Sequence, residues 1–476
     1  MDILASLVER LPEGTVSTHP GELSSRSRDA WALAMLREAR GERLPRPMAV
    51  VFPRTTEHVA STLAWASETG TPVVPRGGGS GVCGGAQAVW RGLVIDLSRM
   101  DRVVEVDETS LAVTVEAGIH GDRLESALNR QGLTIGHYPQ SMAISSVGGW
   151  IATASAGQAS AGYGTIEDIL LGATAVLASG EVLQLRATPR SASGPDLRRL
   201  LVGSEGALAI VTEAVLAAAP LPDGMRWAAF QPSSFDRGVE LVRDVMHSGA
   251  HPAVVRLYDD VDAALAFGAA GHPGGPVLLL GFRDGRLATS EIEVCGRLAS
   301  DADATVLLGT LGEHWWEHRN DAVALYRSIM GEDRTMGSGV VVDTMEIAGL
   351  WGALPRLHEA IRGSLLSHAS EAVGCHLSHP YGSGASLYFT FLLRAPDDER
   401  AEQDYLGAWQ AAVEACREAG GTITHHHGIG LLKAPFLADE LGASGVAALR
   451  AIKRALDPQG ILNPGKLLAV ETEGDR

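Results

Sequence analysis

The stretch that decides the fold of this chain is a glycine-rich loop that directly follows a strand-like run. Residues 75–85 read PRGGGSGVCGG, and the preceding residues 72–74 read PVV. Because glycine has no Cβ atom, its backbone adopts positive φ and brings several N–H donors close to one anion, as a turn that binds pyrophosphate requires. The loop therefore predicts a phosphate cradle.

The same loop contains the spacing Gly79-x-Gly81-x-x-Gly84, which matches the fingerprint of a dinucleotide-binding Rossmann fold. In that fold a helix follows the loop at once, and the pyrophosphate sits at its N-terminus. Here the next periodic segment, residues 93–97 (LVIDL), is again strand-like. The sequence therefore excludes Rossmann binding of the NAD type.

Three further motifs follow the loop in series. Residues 139–153 read PQSMAISSVGGWIAT, residues 163–168 read YGTIED, and residues 203–212 read GSEGALAIVT. In this order they resemble the FAD-binding domain of the vanillyl-alcohol oxidase and p-cresol methylhydroxylase superfamily, over roughly residues 48–220.

The resemblance implies FAD as the cofactor, with its pyrophosphate on the first loop and the later motifs wrapped around it. No histidine lies in the loop, and Cys83 does not match a linkage position, so we expect the FAD to be noncovalent. The FAD-contacting residues implied are Pro75, Arg76, Gly77, Gly78, Gly79, Ser80, Gly81, Gln140, Ser141, Ser145, Ser146, Gly148, Gly149, Thr153, Glu205, Gly206, Ile210 and Val211.

Composition narrows the class of protein. The chain has 476 residues and a formal net charge of −18, which disfavours nucleic acid and anionic membrane surfaces as partners. Four scattered cysteines indicate free thiols, and no segment has the apolar length of a signal peptide or a membrane span. We expect a cytoplasmic enzyme whose partner is a small-molecule substrate; a homodimer stays open.

The periodicities predict a mixed α+β and α/β architecture whose second domain is an α+β sheet covered by helices. The resemblance implies that the first is a two-part FAD-binding domain of the p-cresol methylhydroxylase type and that the second is a substrate (cap) domain. The expected boundaries are 1–45 for an N-terminal helical segment, 46–222 for the FAD domain, 223–430 for the cap, and 431–476 for a segment that returns to the FAD domain. Within these, we expect a helix over residues 56–68, antiparallel strands over 93–118, a cap strand over 277–282, and cap helices over 237–247 and 350–368.

The strongest catalytic candidate is the triple histidine in residues 424–430, which read THHHGIG. Imidazole is the side chain that titrates nearest neutral pH, so proton transfer is the favoured role. A metal site and a solvated structural loop are the alternatives. Adjacent histidines on a strand point to opposite faces, so without a turn at most two of them could meet at a metal ion.

The triple histidine and residues 385–391 (ASLYFTF) together resemble the alkylglycerone-phosphate synthases of the same superfamily. The resemblance implies that Tyr388 transfers a proton and that His425, His426 and His427 are needed for activity. It also implies that Arg256, in the segment VRLYD, lies near the flavin, where its charge would stabilise developing negative charge.

The C-terminal residues 456–466 (LDPQGILNPGK) are typical of a second branch, the FAD-linked D-lactate, glycolate and 2-hydroxyglutarate dehydrogenases. Where that branch has a histidine-rich metal motif and Glu-His-Gly, this chain has residues 381–384, Tyr388 and His426-His427-Gly428, so we expect no metal. The synthases hold substrate phosphate with an arginine, and this chain has Ile329 near that position.

We therefore expect an FAD-dependent oxidoreductase that acts on a CH–OH group of a small hydroxy acid or alcohol, with hydride passing to flavin N5 and Tyr388 or His427 as the general base. The alternative is a synthase-like transferase without net redox change.

Overall fold

The computed structural model describes residues 3–272, 274–368 and 370–469, so residues 1–2 and 470–476 of the two predicted terminal segments lie outside the described residues. Among the described residues, sheets of four, five and two strands lie before residue 221, and a sheet of seven strands lies after it. The predicted fold class, a two-part mixed region followed by an α+β domain whose sheet is covered by helices, is confirmed.

The strands are, in chain order, β1 (Val16–Ser17), β2 (Ala49–Val51), β3 (Val73–Arg76), β4 (Leu93–Asp96), β5 (Val103–Asp107), β6 (Ala112–Glu116), β7 (Leu133–Thr134), β8 (Leu170–Val176), β9 (Val182–Leu185), β10 (Ile210–Ala217), β11 (Ala219–Pro220), β12 (Met225–Gln231), β13 (Val254–Tyr258), β14 (Val277–Arg283), β15 (Thr305–Leu307), β16 (Val340–Leu350), β17 (Ser370–Ser378) and β18 (Gly384–Arg394).

The helices are α1 (Ile3–Val8), α2 (Pro20–Ser25), α3 (Ala32–Ala39), α4 (Thr56–Thr69), α5 (Gly121–Asn129), α6 (Val147–Thr153), α7 (Ser160–Tyr163), α8 (Ile166–Ile169), α9 (Arg198–Leu201), α10 (Phe235–His247), α11 (Asp260–Phe267), α12 (Ala288–Asp301), α13 (Thr310–His318), α14 (Asp321–Met330), α15 (Leu354–Ser367), α16 (Asp398–Glu418) and α17 (Leu437–Leu456). In the described part of the chain, no helix combines the length and apolar character that a bilayer crossing requires.

The glycine loop leaves the edge of the first sheet, whose strand order is β1-β2-β4-β3. Strand β4 runs parallel to both β2 and β3, so the expectation of antiparallel strands over 93–118 is wrong for this segment and correct for β5 and β6. All four residues of β4 are buried, as is usual for a parallel strand between two neighbours. Between β3 and β4 the described chain forms no helix, in agreement with the exclusion of a Rossmann fold.

The cap is built on a seven-stranded antiparallel sheet in the order β15-β12-β14-β13-β17-β18-β16. Successive side chains of a strand point to opposite faces. Apolar residues such as Val255, Leu387 and Phe389 point to one face and form a common core with helices α10, α12, α15 and α16. The residues between them therefore face the other way, towards the FAD domain.

Both ends of the described chain contact parts of the protein far away in sequence. The N-terminal segment contains the short strand β1 as well as helices, and the Tyr326 hydroxyl on α14 donates to the Ala30 carbonyl at 2.7 Å. Near the C-terminus, the Asn463 amide donates to the carbonyls of Gly85 and Glu205 at 3.0 and 2.6 Å. The C-terminal segment thereby fastens the glycine loop to the later FAD motif.

Candidate active site

A single cavity of about 960 Å³ runs from the glycine loop to the inner face of the cap sheet. All the residues that we expect to contact FAD line it, and so do Arg256, Tyr388, His426 and His427. The structure thus brings residues that are more than 350 positions apart in sequence to the same cavity. Their roles toward cofactor and substrate stay predictions.

The floor of the cavity at the glycine loop fits a pyrophosphate. The backbone N–H groups of residues 78–81 donate no hydrogen bond to other parts of the described chain, so these donors are free for an anion. Arg76 adds positive charge beside them, although burial lowers the pKa of its guanidinium. Donors without partners and a neighbouring cation are what a bound diphosphate needs.

Gly206 shows why the third FAD motif contains glycine. Its φ is +68°, a left-handed conformation that other residues adopt only at a cost, and a Cβ atom there would collide with the ring of Pro75. The glycine lets the third motif pack directly on the start of the loop. A side chain at position 206 would therefore displace Pro75.

The side chain of Glu205 joins the FAD domain to the glycine-rich turn that follows the triple histidine. Both of its carboxylate oxygens accept the Gly430 N–H at 2.8 Å. Burial raises the pKa of Glu205 to about 7, and the hydrogen bonds from the glycine-rich turn oppose that rise.

On the cap side, sheet register arranges the candidate catalytic side chains in one row. Tyr388 on β18 lies directly opposite Glu346 on β16 and opposite His376 on β17, and His376 lies opposite Tyr258 on β13. Residues at one register position of neighbouring strands point to the same face. The row therefore places a phenol between an imidazole and a carboxylate along one line across the sheet.

Arg256 lies two residues before Tyr258 on β13 and points to the same face. Its NH1 group donates to His376 Nε2 at 2.7 Å, and His376 Nδ1 lies 2.6 Å from an Asp262 carboxylate oxygen. Burial lowers the pKa of His376, so the ring is neutral and its tautomer is set by Asp262.

The guanidinium of Arg256 is 7% exposed, its Nε has no hydrogen-bond partner, and within the described chain it forms no ion pair with a carboxylate. An unneutralised buried cation that faces a cavity favours an anionic ligand.

The triple histidine lies in a bent loop and not on a strand, so the opposite-face argument does not apply to it. The loop wraps around the Glu346 carboxylate, which accepts the backbone N–H groups of all three histidines. Lys433 completes the arrangement, with its Nζ at 2.7 Å from Glu346 Oε1 and both side chains fully buried.

Tyr388 lies next to two of the three histidines. Its ring centroid is 5.5 Å from that of His427, edge to face, and 6.0 Å from that of His426. Burial lowers the pKa of His427 to about 4 and raises the pKa of Tyr388 above its ordinary value. Near neutral pH the imidazole can accept a proton, while the phenol keeps its own.

The structure does not bring His425 to the cavity wall. Its Nδ1 contacts His426 Nδ1 at 2.9 Å and its Nε2 contacts the Tyr381 hydroxyl at 2.7 Å. His425 thus meets the cavity through His426 and through His379, whose ring stacks on it at a centroid distance of 5.4 Å. Its importance for activity stays a prediction.

Several residues of the site were not singled out by the sequence argument, namely His376, His379, Glu346 and Lys433. His379 lies 5.0 Å from His426 between ring centroids, and its Nδ1 is 2.7 Å from the Ser160 hydroxyl. The sequence could have indicated His376 and His379 as site residues, because residues 375–379 (CHLSH) place both histidines shortly before Tyr388. Among the described residues, no group of three or more His, Cys, Asp or Glu side chains is arranged to hold a metal ion.

The region in which the resemblance to the synthases implies a phosphate-binding arginine contains Ile329 and two neighbouring arginines. Ile329 is buried at 6% exposure, and Arg334 is paired with Asp398 at 2.6 Å. Arg327 lines the cavity but is exposed.

Comparison with known families gives two matches that together cover most of the chain. Residues 47–186 match the family described as FAD binding domain, and residues 221–467 match FAD linked oxidases, C-terminal domain. The protein is 31% identical to the "Uncharacterized FAD-linked oxidoreductase YgcU" of Escherichia coli O157:H7, over 90% of each chain.

Two further relatives have different activities in their names. The "Alkyldihydroxyacetonephosphate synthase" of Trypanosoma brucei brucei is 31% identical over 93% of this chain and 75% of its own. The "Glycolate oxidase subunit GlcD" of Bacillus subtilis (strain 168) is 31% identical over 89% of each. A solved alkyldihydroxyacetonephosphate synthase superimposes with a TM-score of 0.82 at 23% identity, over 98% of this chain and 86% of that one, which supports the fold.

Proposed function

We propose that this chain, which belongs to the FAD-linked oxidases of the vanillyl-alcohol oxidase and p-cresol methylhydroxylase superfamily and uses FAD as its cofactor, oxidises the CH–OH group of a small hydroxy acid or alcohol. One observation carries the proposal. A neutral imidazole, a protonated phenol and a guanidinium that contacts no carboxylate of the described chain directly line one cavity together with the pyrophosphate cradle.

Bound FAD supplies the acceptor for the hydride that leaves the substrate carbon. The hydroxyl proton leaves in the other direction, through side chains of the cap. Tyr388 accepts that proton while it donates its own to His427. The phenol is therefore neutral again after the transfer, and the imidazole of His427 becomes an imidazolium. The substrate thereby loses two electrons and two hydrogens and becomes a carbonyl compound.

Arg256 gives the site its preference for hydroxy acids over simple alcohols. A substrate carboxylate would supply the anionic partner that the guanidinium lacks within the described chain. His376 holds the guanidinium by one nitrogen and leaves the rest of its donors for the ligand. The GlcD relative, named as a glycolate oxidase subunit, is consistent with this substrate class.

The test is anaerobic mixing of the purified holoenzyme with D-lactate, glycolate, D-2-hydroxyglutarate, a primary alcohol and acyl-dihydroxyacetone phosphate. We expect the yellow absorbance of the flavin to bleach with at least one hydroxy acid, in a single exponential whose rate saturates with concentration. If no hydroxy acid or alcohol bleaches the flavin and the acyl phosphate is consumed without net bleaching, the oxidative proposal is wrong.

The alternative is an exchange of substituents on a phosphate-bearing ketone without net redox change. It is favoured by the Tyr388 and histidine-loop arrangement, which resembles the synthase family, and by the 31% identity to the trypanosome synthase. It is disfavoured by the buried Ile329 and by Arg334, which is paired with Asp398.

We further propose that the enzyme acts in the cytoplasm on a small-molecule substrate. Four free cysteines, all buried, suit a reducing cytoplasm, and a small-molecule substrate suits a cavity of this size.

A further inference from the structure

We infer that the buried pair Glu346 and Lys433 positions the histidine loop against Tyr388, so that substrate oxidation depends on a carboxylate that lines neither the substrate nor the cofactor region. The inference rests on the proposed function, in which His427 receives the substrate proton. Glu346 would be a positioning residue, because it acts through the loop.

The contacts of the carboxylate carry this inference. Glu346 Oε1 accepts from the Thr424 hydroxyl at 2.9 Å, the His427 N–H at 3.0 Å and Lys433 Nζ at 2.7 Å. Its Oε2 accepts from the N–H groups of His425 and of His426, the latter at 3.4 Å. A carboxylate offers about four acceptor sites, and here three loop N–H groups, the Thr424 hydroxyl and one ammonium occupy them.

Sheet register then ties this anchor to the phenol. Glu346 and Tyr388 are direct partners in the β16–β18 ladder, so their backbones cannot move apart without breaking the sheet. A loop gripped by Glu346 is therefore held at a set distance from Tyr388. Small displacements of reacting groups are costly, because proton transfer requires hydrogen-bond distance.

Stability alone does not explain the pair. Two buried charges gain roughly what their desolvation costs, and an apolar pair of similar volume is often as stable or more so. Burial opposes the charged form of both groups, but Lys433 lowers the pKa of Glu346 and Glu346 raises the pKa of Lys433, so both stay ionised. What an apolar pair could not provide is an acceptor for three successive loop N–H groups.

The experiment compares Glu346→Gln with the double variant Glu346→Gln/Lys433→Met. Gln offers one acceptor oxygen and points an NH₂ group at loop donors, so it loosens the loop and leaves the Lys433 ammonium unpaired. The double variant removes that unpaired charge and leaves the loop without its anchor. Asp343→Asn is the matched control, since Asp343 is a buried carboxylate on the same strand that accepts from Tyr405 and Trp409 on the helical side of the sheet.

Two readouts are measured on the FAD-loaded protein. The first is the limiting rate of anaerobic flavin bleaching with glycolate or D-lactate, separated from the concentration that gives half of that rate. The second is hydrogen–deuterium exchange of the peptide that covers residues 422–433, which needs no turnover.

We expect Glu346→Gln and the double variant to bleach at least tenfold more slowly, with the half-saturating concentration within about twofold of wild type, and to exchange the 422–433 amides at least tenfold faster. The double variant should regain thermal stability but not the bleaching rate. Asp343→Asn should lose stability and keep both the rate and the loop protection.

The inference is overturned if Glu346→Gln leaves loop exchange unchanged, or if the double variant regains the bleaching rate together with its stability. Should Glu346→Gln fail to fold, the double variant decides the matter by the same criteria. His427→Ala separates this inference from the proposed function: if that variant is slow and Glu346→Gln is not, the positioning inference alone is wrong, and if His427→Ala bleaches normally, the proton route itself is wrong.

Discussion

Replacing Tyr388 with Phe removes one oxygen atom from the centre of the proposed proton route. The ring stays in place between His376 and His426, with which it stacks at centroid distances of 4.9 and 6.0 Å, so no cavity forms and the FAD content should not change. The hydroxyl also bonds to the Thr344 side chain, and the loss of that hydrogen bond costs about 1 kcal/mol of stability.

The effect on rate should be far larger than the effect on stability. A lost acid–base group lowers a rate by roughly 10²- to 10⁴-fold, so we expect the limiting rate of anaerobic bleaching by a hydroxy acid to fall by at least 100-fold. His427→Ala should fall by a similar factor. Because Tyr388 and His427 are neighbours in one relay, the double variant should be little slower than the slower single variant.

Tyr405→Phe is the control for this series. Tyr405 is a fully buried cap tyrosine, and its hydroxyl donates to Asp343 at 2.7 Å on the helical side of the sheet. It should lose stability and keep its rate. A Tyr388→Phe rate within threefold of wild type, or rate losses that multiply in the double variant, would refute the relay.

Four further outcomes follow from the same geometry. FAD should be released into the supernatant on acid precipitation, and flavin that stays in the pellet would contradict noncovalent binding. Gly206→Val should lower the FAD-to-protein absorbance ratio because its side chain collides with Pro75, whereas Gly194→Val, at φ +96° with no atom within 4 Å of a Cβ, should keep the ratio. Arg256→Gln should raise the half-saturating concentration of a hydroxy acid by about 10- to 100-fold, the scale of a charge-assisted hydrogen bond, and leave that of a neutral alcohol unchanged. The bleaching rate should be flat from about pH 6 to 8 and fall as the pH approaches 4, because burial lowers the pKa of His427 to about 4 and protonation removes the proton acceptor. The free energy of unfolding should also decline as the pH falls towards 4, because the unfolded state, with its ordinary histidine pKa, binds the proton more readily.

Local sequence signals were sufficient to predict the segment that binds the cofactor phosphates. Its signals are local, because a phosphate cradle needs glycine at consecutive positions whatever the rest of the fold does, and residues 77–81 meet that need. The serial order of the later motifs then identified the superfamily. Tyr388 and the triple histidine were also visible as candidates, since a cluster of imidazoles is rare without a chemical reason.

The spatial arrangement of those candidates, in contrast, follows from the tertiary structure. Glu346 reads as one polar residue in an apolar strand, and nothing near it in sequence shows that it binds a loop almost 80 residues later. The parallel pairing of β4, the exclusion of His425 from the cavity wall and the unneutralised charge of Arg256 are likewise consequences of sheet register and of packing between domains. Register depends on which whole strands become neighbours, and a shift by one residue would turn every side chain in the Glu346, Tyr388 and His376 row to the opposite face, so no local pattern can specify it.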